Sequence, residues 1–347
     1  MRGAQAGREQ PIFSLQRRFF LAGGVLLARA FRARAGDWGD PPTDAVGDPA
    51  APAWPPVERI ALWPGDPPGM PATAPVPAPT MNGPAGARQL WLRGIAHPEI
   101  NVFRAPRPDG SALLVIPGGG YNFVSVQNEG IDVARRFNPA GTAIFVLGYR
   151  LPGEGWARRE RVPLQDAQRA MRLLRANATH LDIDPARLGV LGFSAGGHLA
   201  ADLATAYDES CYAAVDAADR LSARPQFAGL IYPVASFEHG IGHDDSRDNL
   251  LGAGAGPEAI SRHSPAEHVR AATPPCFFVH AMDDGTVPVG ASLAMIEACR
   301  RARISVEAHL FDAGGHGFGV PPQADAPAYA WPELFMAWSR RHQQPSR

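Results

Sequence analysis

Leu188–Ala200 reads LGVLGFSAGGHLA. Six residues, Leu188–Phe193, form an aliphatic and aromatic run short enough for a buried strand, and an alanine-rich helical pattern follows Ser194. A serine between a strand and a helix must stand on a tight, strained turn where backbones crowd, so its neighbours must be small. Gly192, Ala195, Gly196 and Gly197 meet that demand. The start of the following helix directs unpaired amide hydrogens and its positive dipole end toward the serine. Ser194 is therefore the candidate nucleophile.

Outward from this stretch, short apolar runs alternate with helical patterns. Ala112–Ile116, Thr142–Leu147, Phe227–Pro233, Cys276–His280 and Ser305–Phe311 read as further strands. Between them Leu164, Ala167, Met171, Leu174 and Ala178 recur at three- and four-residue steps after Pro163, marking one apolar helix face that stops at Asp184-Pro185. The alternation predicts an α/β architecture, a mostly parallel central sheet with helices on both faces. With 347 residues, 45% of them hydrophobic, and no internal repeat or second core-sized segment, a single domain over residues 57–347 is expected. The stretches Gly65–Gly86 and Phe237–Ala255 read as irregular loops at the mouth of a site.

Two more glycine-rich segments complete a constellation. Pro117-Gly118-Gly119-Gly120-Tyr121 ends the strand Ala112–Ile116, and glycines there let main-chain N–H groups of Gly119 and Gly120, with that of Ala195, turn toward a developing alkoxide. A phosphate-binding turn would need a following Gly-Lys-Ser/Thr, which is missing. His316, within Asp312–Gly319, is a loop histidine flanked by glycines and free to reach the serine. The order Ser194, Asp284, His316, with one helix and one strand between acid and base, is that of the α/β-hydrolase triad: the histidine takes the serine proton, and the acid sets its tautomer. His280 ends an apolar strand and reads as structural. A metal site at His239, His243, Asp244 and Asp245 is disfavoured, because the spacing EHGIGHDD places no two ligands on one rigid element.

Residues 14–35 carry Arg17-Arg18, then a short apolar run to Leu27, then small residues, resembling a bacterial twin-arginine export signal with cleavage after Ala35. The expected location is periplasmic or secreted. Residues 36–56, rich in Pro, Ala, Asp and Gly without apolar periodicity, read as a disordered linker. The first 35 residues hold seven arginines against one acid, so the body is mildly acidic despite a total net charge of −1. An acidic body without a basic stripe argues against nucleic acid and anionic membrane as partners. The apolar run is too short to span a bilayer. Three cysteines, Cys211, Cys276 and Cys299, are too few for a disulfide framework, though a pair among them remains open.

The stretches IALWPG (Ile60–Gly65), PGGGY (Pro117–Tyr121), NEGIDVARRF (Asn128–Phe137), LGYRLP (Leu147–Pro152), PLQDAQRAMRLLR (Pro163–Arg175), DPARLGVLGFSAGGHLA (Asp184–Ala200), HAMDDGTVPV (His280–Val289) and GGHGFG (Gly314–Gly319) together resemble a bacterial family of α/β-hydrolases described as acetyl xylan esterase-like or feruloyl esterase-like. The resemblance implies that Ser194, Asp284 and His316 are catalytic, that no metal or cofactor is needed, and that acetyl groups on polysaccharide are the substrate. In the family pattern His-Gly-x-x-Asp-x-x-Val-Pro the acid stands four residues after the histidine, which selects Asp284 over Asp283; Ala281 departs from the pattern's glycine. Asp283 is expected to face solvent or cap the helix that follows. Tyr121, Trp156 and His243 are candidate rim contacts for sugar rings. A feruloyl esterase or another small-ester carboxylesterase is the alternative. An oligopeptidase would need a large gating domain, and a non-catalytic carbohydrate-binding protein would not need the triad.

Overall fold

The aliphatic runs form strands whose side chains alternate between two cores. In the computed structural model, which describes residues 41–321 and 324–343, the strands in chain order are β1 (Thr43–Asp44), β2 (Arg59–Ala61), β3 (Thr80–Asn82), β4 (Gln89–Trp91), β5 (Glu99–Phe103), β6 (Ala112–Ile116), β7 (Ala143–Gly148), β8 (Leu188–Phe193), β9 (Ala228–Ile231), β10 (Cys276–Ala281) and β11 (Val306–Phe311). The helices are α1 (Asp132–Phe137), α2 (Val162–Ala176), α3 (Ser194–Ala206), α4 (Asp244–Leu251), α5 (Pro257–Arg262), α6 (Gly290–Arg301) and α7 (Trp331–His342). Eight strands make one sheet in the order β11-β10-β9-β8-β6-β7-β5-β2. From β6 through β11 every pairing is parallel, while β5 and β2 close one edge antiparallel.

Parallel strands buried on both faces need apolar residues at every position, and β6, β7, β8 and β10 are buried throughout. Leu114, Phe145, Val190 and Phe278 face the core beneath α2, α3 and α6, with Leu164, Met171, Leu199 and Met295. Their neighbours Leu113, Val146, Leu191 and Phe277 face the opposite core, filled by Val133 and Phe137 of α1 and by Trp331, Phe335 and Trp338 of α7. Each such side chain withdrawn from water contributes about 1.5–3 kcal/mol. Helices on both faces of a mostly parallel sheet make this the α/β-hydrolase fold that the motifs predict. The described residues belong to one compact unit. Cys211, Cys276 and Cys299 are buried free thiols.

One buried ion pair ties the top of the sheet together. Arg150, just past β7, and Asp166, in α2, are fully enclosed and 2.8 Å apart. Asp166 also accepts from the Trp63 indole and the Arg150 amide, and Arg150 donates to Pro68 and Gln165. Every polar atom of the pair is engaged, as a buried pair requires.

Two expectations are corrected. The segment read as a disordered linker, residues 36–56, is ordered in its described part: Thr43–Asp44 pairs antiparallel with β3, and Trp54 packs against both cores and the Phe103 ring. Proline-rich composition hid it, because its partners lie across the chain in β3 and β5. The loop expected over Phe237–Ala255 contains helix α4, whose polar sequence has almost no apolar face to reveal it. The export signal over residues 1–35 lies outside the described residues.

Candidate active site

Strand β8 ends at Phe193 and α3 begins at Ser194, which adopts φ 52°, a left-handed conformation rare for a side chain with Cβ. Such a residue costs of order 1–3 kcal/mol and persists only where its surroundings over-determine it. Here close packing does so. A Cβ on Gly196 would strike the carbonyls of Ile116 and Pro117, and one on Gly197 would lie 2.9 Å from Pro233 Cα. The small residues flanking the serine are required by this crowding.

Ser194 Oγ lies 2.9 Å from His316 Nε2, and His316 Nδ1 lies 2.7 Å from Asp284 Oδ2. The network assigns the proton: Nδ1–H donates to the carboxylate, leaving Nε2 to accept from the serine hydroxyl. Asp284 is enclosed. Its Oδ1 accepts from the N–H groups of Thr286 (2.9 Å) and Val287 (2.8 Å). Burial works against its charge, but hydrogen bonds from His280 and His316, with the field of His316 and the Val287 amide, hold its pKa well below the usual carboxylate range. His280 earns its structural reading here. Its Nδ1 accepts from Ser292 Oγ–H at 2.8 Å, and its Nε2–H is shared between the Val287 carbonyl at 3.0 Å and Asp284 Oδ2 at 3.2 Å. Asp283 is exposed and does not cap α6, whose N-terminus carries no side-chain cap; it accepts from the Gly315 N–H at 2.8 Å and so tethers the loop that carries His316.

The glycine loop after β6 is held by its carbonyls. Tyr149 O–H donates to Pro117 O (2.9 Å), the Ser125 N–H to Gly118 O (3.0 Å), the Asn122 N–H to Gly119 O (2.9 Å), and Asn249 Nδ2–H of α4 to Gly120 O (2.8 Å). In a trans peptide N–H and C=O point opposite ways, so these bonds turn the N–H groups of Gly119 and Gly120 to the other side. Among the described residues neither of these, nor the N–H of Ala195 in the first turn of α3, has an acceptor. The Gly118 N–H is different: it donates to Glu129 Oε2 at 2.6 Å.

The three expected rim contacts fare differently. Tyr121, at φ 60°, turns its ring inward, is 1% exposed, and joins its hydroxyl to His198 Nδ1 at 2.6 Å, so it is a core residue. Trp156 is 4% exposed beneath the Arg150 guanidinium, whose centre lies 4.9 Å from the ring, and is also closed to a ligand. His243, half-buried, caps α4 through Ser246; burial and then the field of His316 depress its pKa. His239 faces Asp244 at 3.7 Å.

Sequence reasoning passed over Asn128, Glu129 and Tyr232. Asn128 Nδ2–H donates to Gly317 O at 3.2 Å, and the Tyr232 ring lies 4.9 Å from that of His316. The only sequence signal was the Asn128-Glu129-Gly130 segment of a matching stretch, with no chemistry attached to it.

The chain is similar to several known proteins in sequence and in fold. An acetyl ester-xyloside bifunctional hydrolase from Caldicellulosiruptor lactoaceticus superimposes with a TM-score of 0.69 at 32% identity, covering 83% of this chain and 97% of that one. The acetylxylan esterase of Xylanibacter ruminicola is 34% identical over 225 residues, 64% of this chain and 44% of that protein. The endo-1,4-beta-xylanase B of Butyrivibrio fibrisolvens is 35% identical over 227 residues, 65% of this chain and 34% of that protein. The matched region thus spans less than half of these two longer relatives. The family profile BD-FAE matches residues 104–298, more than half of the chain. The chain therefore belongs to the BD-FAE family of α/β-hydrolases.

Proposed function

We propose that this protein is a serine carboxylesterase that removes short acyl groups, acetyl above all, from carbohydrate such as xylan. The observation that carries the reading is the unbroken chain from Ser194 Oγ through His316 to Asp284, at 2.9 and 2.7 Å. Ser194 Oγ attacks the ester carbonyl as His316 Nε2 takes its proton, and Asp284 stabilises the resulting imidazolium. The N–H groups of Gly119, Gly120 and Ala195 hold the oxyanion; such a donor supplies roughly 3–4 kcal/mol of transition-state stabilisation. His316 then protonates the departing sugar oxygen, and water cleaves the acyl-enzyme by the same steps in reverse. The names of the xylan-directed relatives support the substrate class. His243, the one of the three rim candidates that is not enclosed, is the contact retained for the substrate.

The test is a panel of aryl acetate, butyrate and octanoate, acetylated xylan and methyl ferulate, run on the wild-type chain and on Ser194→Ala. Acetate is expected to be released from xylan, aryl acetate to turn over faster than octanoate, and Ser194→Ala to be inactive. Full activity without the serine hydroxyl, or a strong preference for octanoate, overturns the proposal. Turnover of methyl ferulate alone moves the substrate to the feruloyl ester.

A further inference from the structure

The mechanism above leaves one buried acid unused. Glu129 is 3% exposed, and its hydrogen-bond partners are neutral. Its two oxygens are divided between the two walls of the site. Oε2 accepts from the Gly118 N–H at 2.6 Å, where the glycine loop begins. Oε1 accepts from the Tyr232 O–H at 2.8 Å, and the same hydroxyl oxygen accepts from the Gly319 N–H at 2.9 Å, in the loop that carries His316. The Tyr232 ring stands edge-on to His316. Asn128, the preceding residue, makes a parallel bridge: its Oδ1 accepts from Ser125 Oγ–H at 2.8 Å, and its amide reaches Gly317. Both side chains issue from a single π-helical turn, Gln127–Ile131, that leads into α1. Such turns recur at functional sites.

We infer that Glu129 is a positioning residue that sets the oxyanion loop and the His316 loop in register, so that amide donors and base converge on the same substrate carbon. The inference rests on the esterase reading. A buried carboxyl is costly to keep among neutral partners, and burial does push the Glu129 pKa up, against the pull of the Gly118 amide, Tyr232 and His316. Fixing the Gly118 amide at one end, with Gly118 O held by Ser125, sets the plane of the peptide that aims the Gly119 N–H. Fixing Tyr232 at the other end sets the wall behind His316. Neither end grips the ground-state substrate, so the effect belongs to kcat rather than KM.

Glu129→Gln, Tyr232→Phe and the double variant test this on aryl acetate, with thermal melting of each. Gln keeps the shape but only one acceptor: with its carbonyl oxygen on the Gly118 N–H, its NH2 group faces the Tyr232 O–H where a carboxylate oxygen had accepted. In Glu129→Gln kcat is expected to fall roughly 10- to 100-fold, with KM within about threefold, the scale of a small misplacement in an active site. Tyr232→Phe should lose about tenfold, and the double variant should be no worse than the poorer single by more than about twofold, because both break one chain of hydrogen bonds. Wild-type kcat in Glu129→Gln, a rise in KM alone, or additive losses overturn the inference. If Glu129→Gln melts early or fails to fold, Tyr232→Phe decides, and wild-type kcat there overturns it equally. Failure of the esterase reading looks different: Ser194→Ala would stay active whatever the Glu129 variants do.

Discussion

The glycine loop after β6 (residues 117–125) and the histidine loop after β11 (residues 312–319) close over the same serine, yet they are held in different ways. The first is held largely by its own backbone. Gly119 O receives the N–H groups of Asn122 and Phe123, Gly118 O that of Ser125, and Val124 pairs with Leu92. The second is held by side chains from elsewhere. Asp283 takes the Gly315 N–H, Asn128 reaches Gly317 O across 189 residues of chain, Tyr232 takes the Gly319 N–H across 87, and the Trp331 indole donates to Gly319 O. Two segments of similar composition thus differ in what their geometry depends on: chiefly bonds within the loop in one, with Tyr149, Glu129 and Asn249 added to them, and remote hydrogen-bond partners throughout in the other.

The largest effect expected from this contrast lies in the histidine loop. Asp284→Asn leaves His316 in the wrong tautomer and should lower kcat by about 10⁴, the scale of the equivalent change in a serine protease. Asp283→Asn keeps an acceptor for the Gly315 N–H and should cost less than about tenfold, a tether being easier to replace than a charge. Steady-state kinetics of the two variants side by side rank them; a reversed order breaks the account of this loop.

In the glycine loop a single methyl group should suffice. Gly119 holds φ 127°, and its Cβ would collide with the Phe123 carbonyl. Gly119→Ala must therefore displace the peptide that carries one proposed oxyanion donor, lowering kcat by roughly 10²–10³ without unfolding the chain. Activity within about threefold of wild type, with a normal circular-dichroism spectrum, would show that the loop tolerates rearrangement and is not sterically set.

The smallest effect concerns what lies beneath that loop. Tyr121 is bonded to His198, which burial drives down to a pKa of about 3. The folded chain thus keeps His198 neutral at a pH where the unfolded chain, with its histidine near 6.5, takes up a proton. Stability is accordingly complete above about pH 6.5 and declines as pH falls from there toward 3. Melting temperature measured from pH 7 to pH 5, above the range where carboxylates dominate, should fall more steeply in the wild-type chain than in His198→Asn. Parallel slopes would remove His198 from the account.

Much of the site was legible because its chemistry is short-range. Strand, small residues, serine and helix occupy consecutive positions at Leu188–Ala206, and crowding at the turn admits little else there, so these residues announce their own geometry. The strands buried on both faces could be read within a residue or two of their ends, since they are apolar at every position. Tyr121 and Trp156 misled because an aromatic beside a functional loop reads the same whether its ring turns outward or inward. The left-handed backbone of Tyr121, with a buried partner in His198, turned it inward.

What local chemistry could specify, then, was the set of strands, the elbow and the choice of Ser194, His316 and Asp284 as the residues that meet, all carried by residue type over a few neighbouring positions. Tertiary structure decided the rest: that residues 41–56 pack against the sheet, that α4 covers the glycine loop, and that Asn128, Glu129 and Tyr232 join the two walls of the site. These depend on partners tens to hundreds of residues apart. A polar side chain reads as surface until the fold shows which buried donor it meets, because burying it is favourable only with that partner in place.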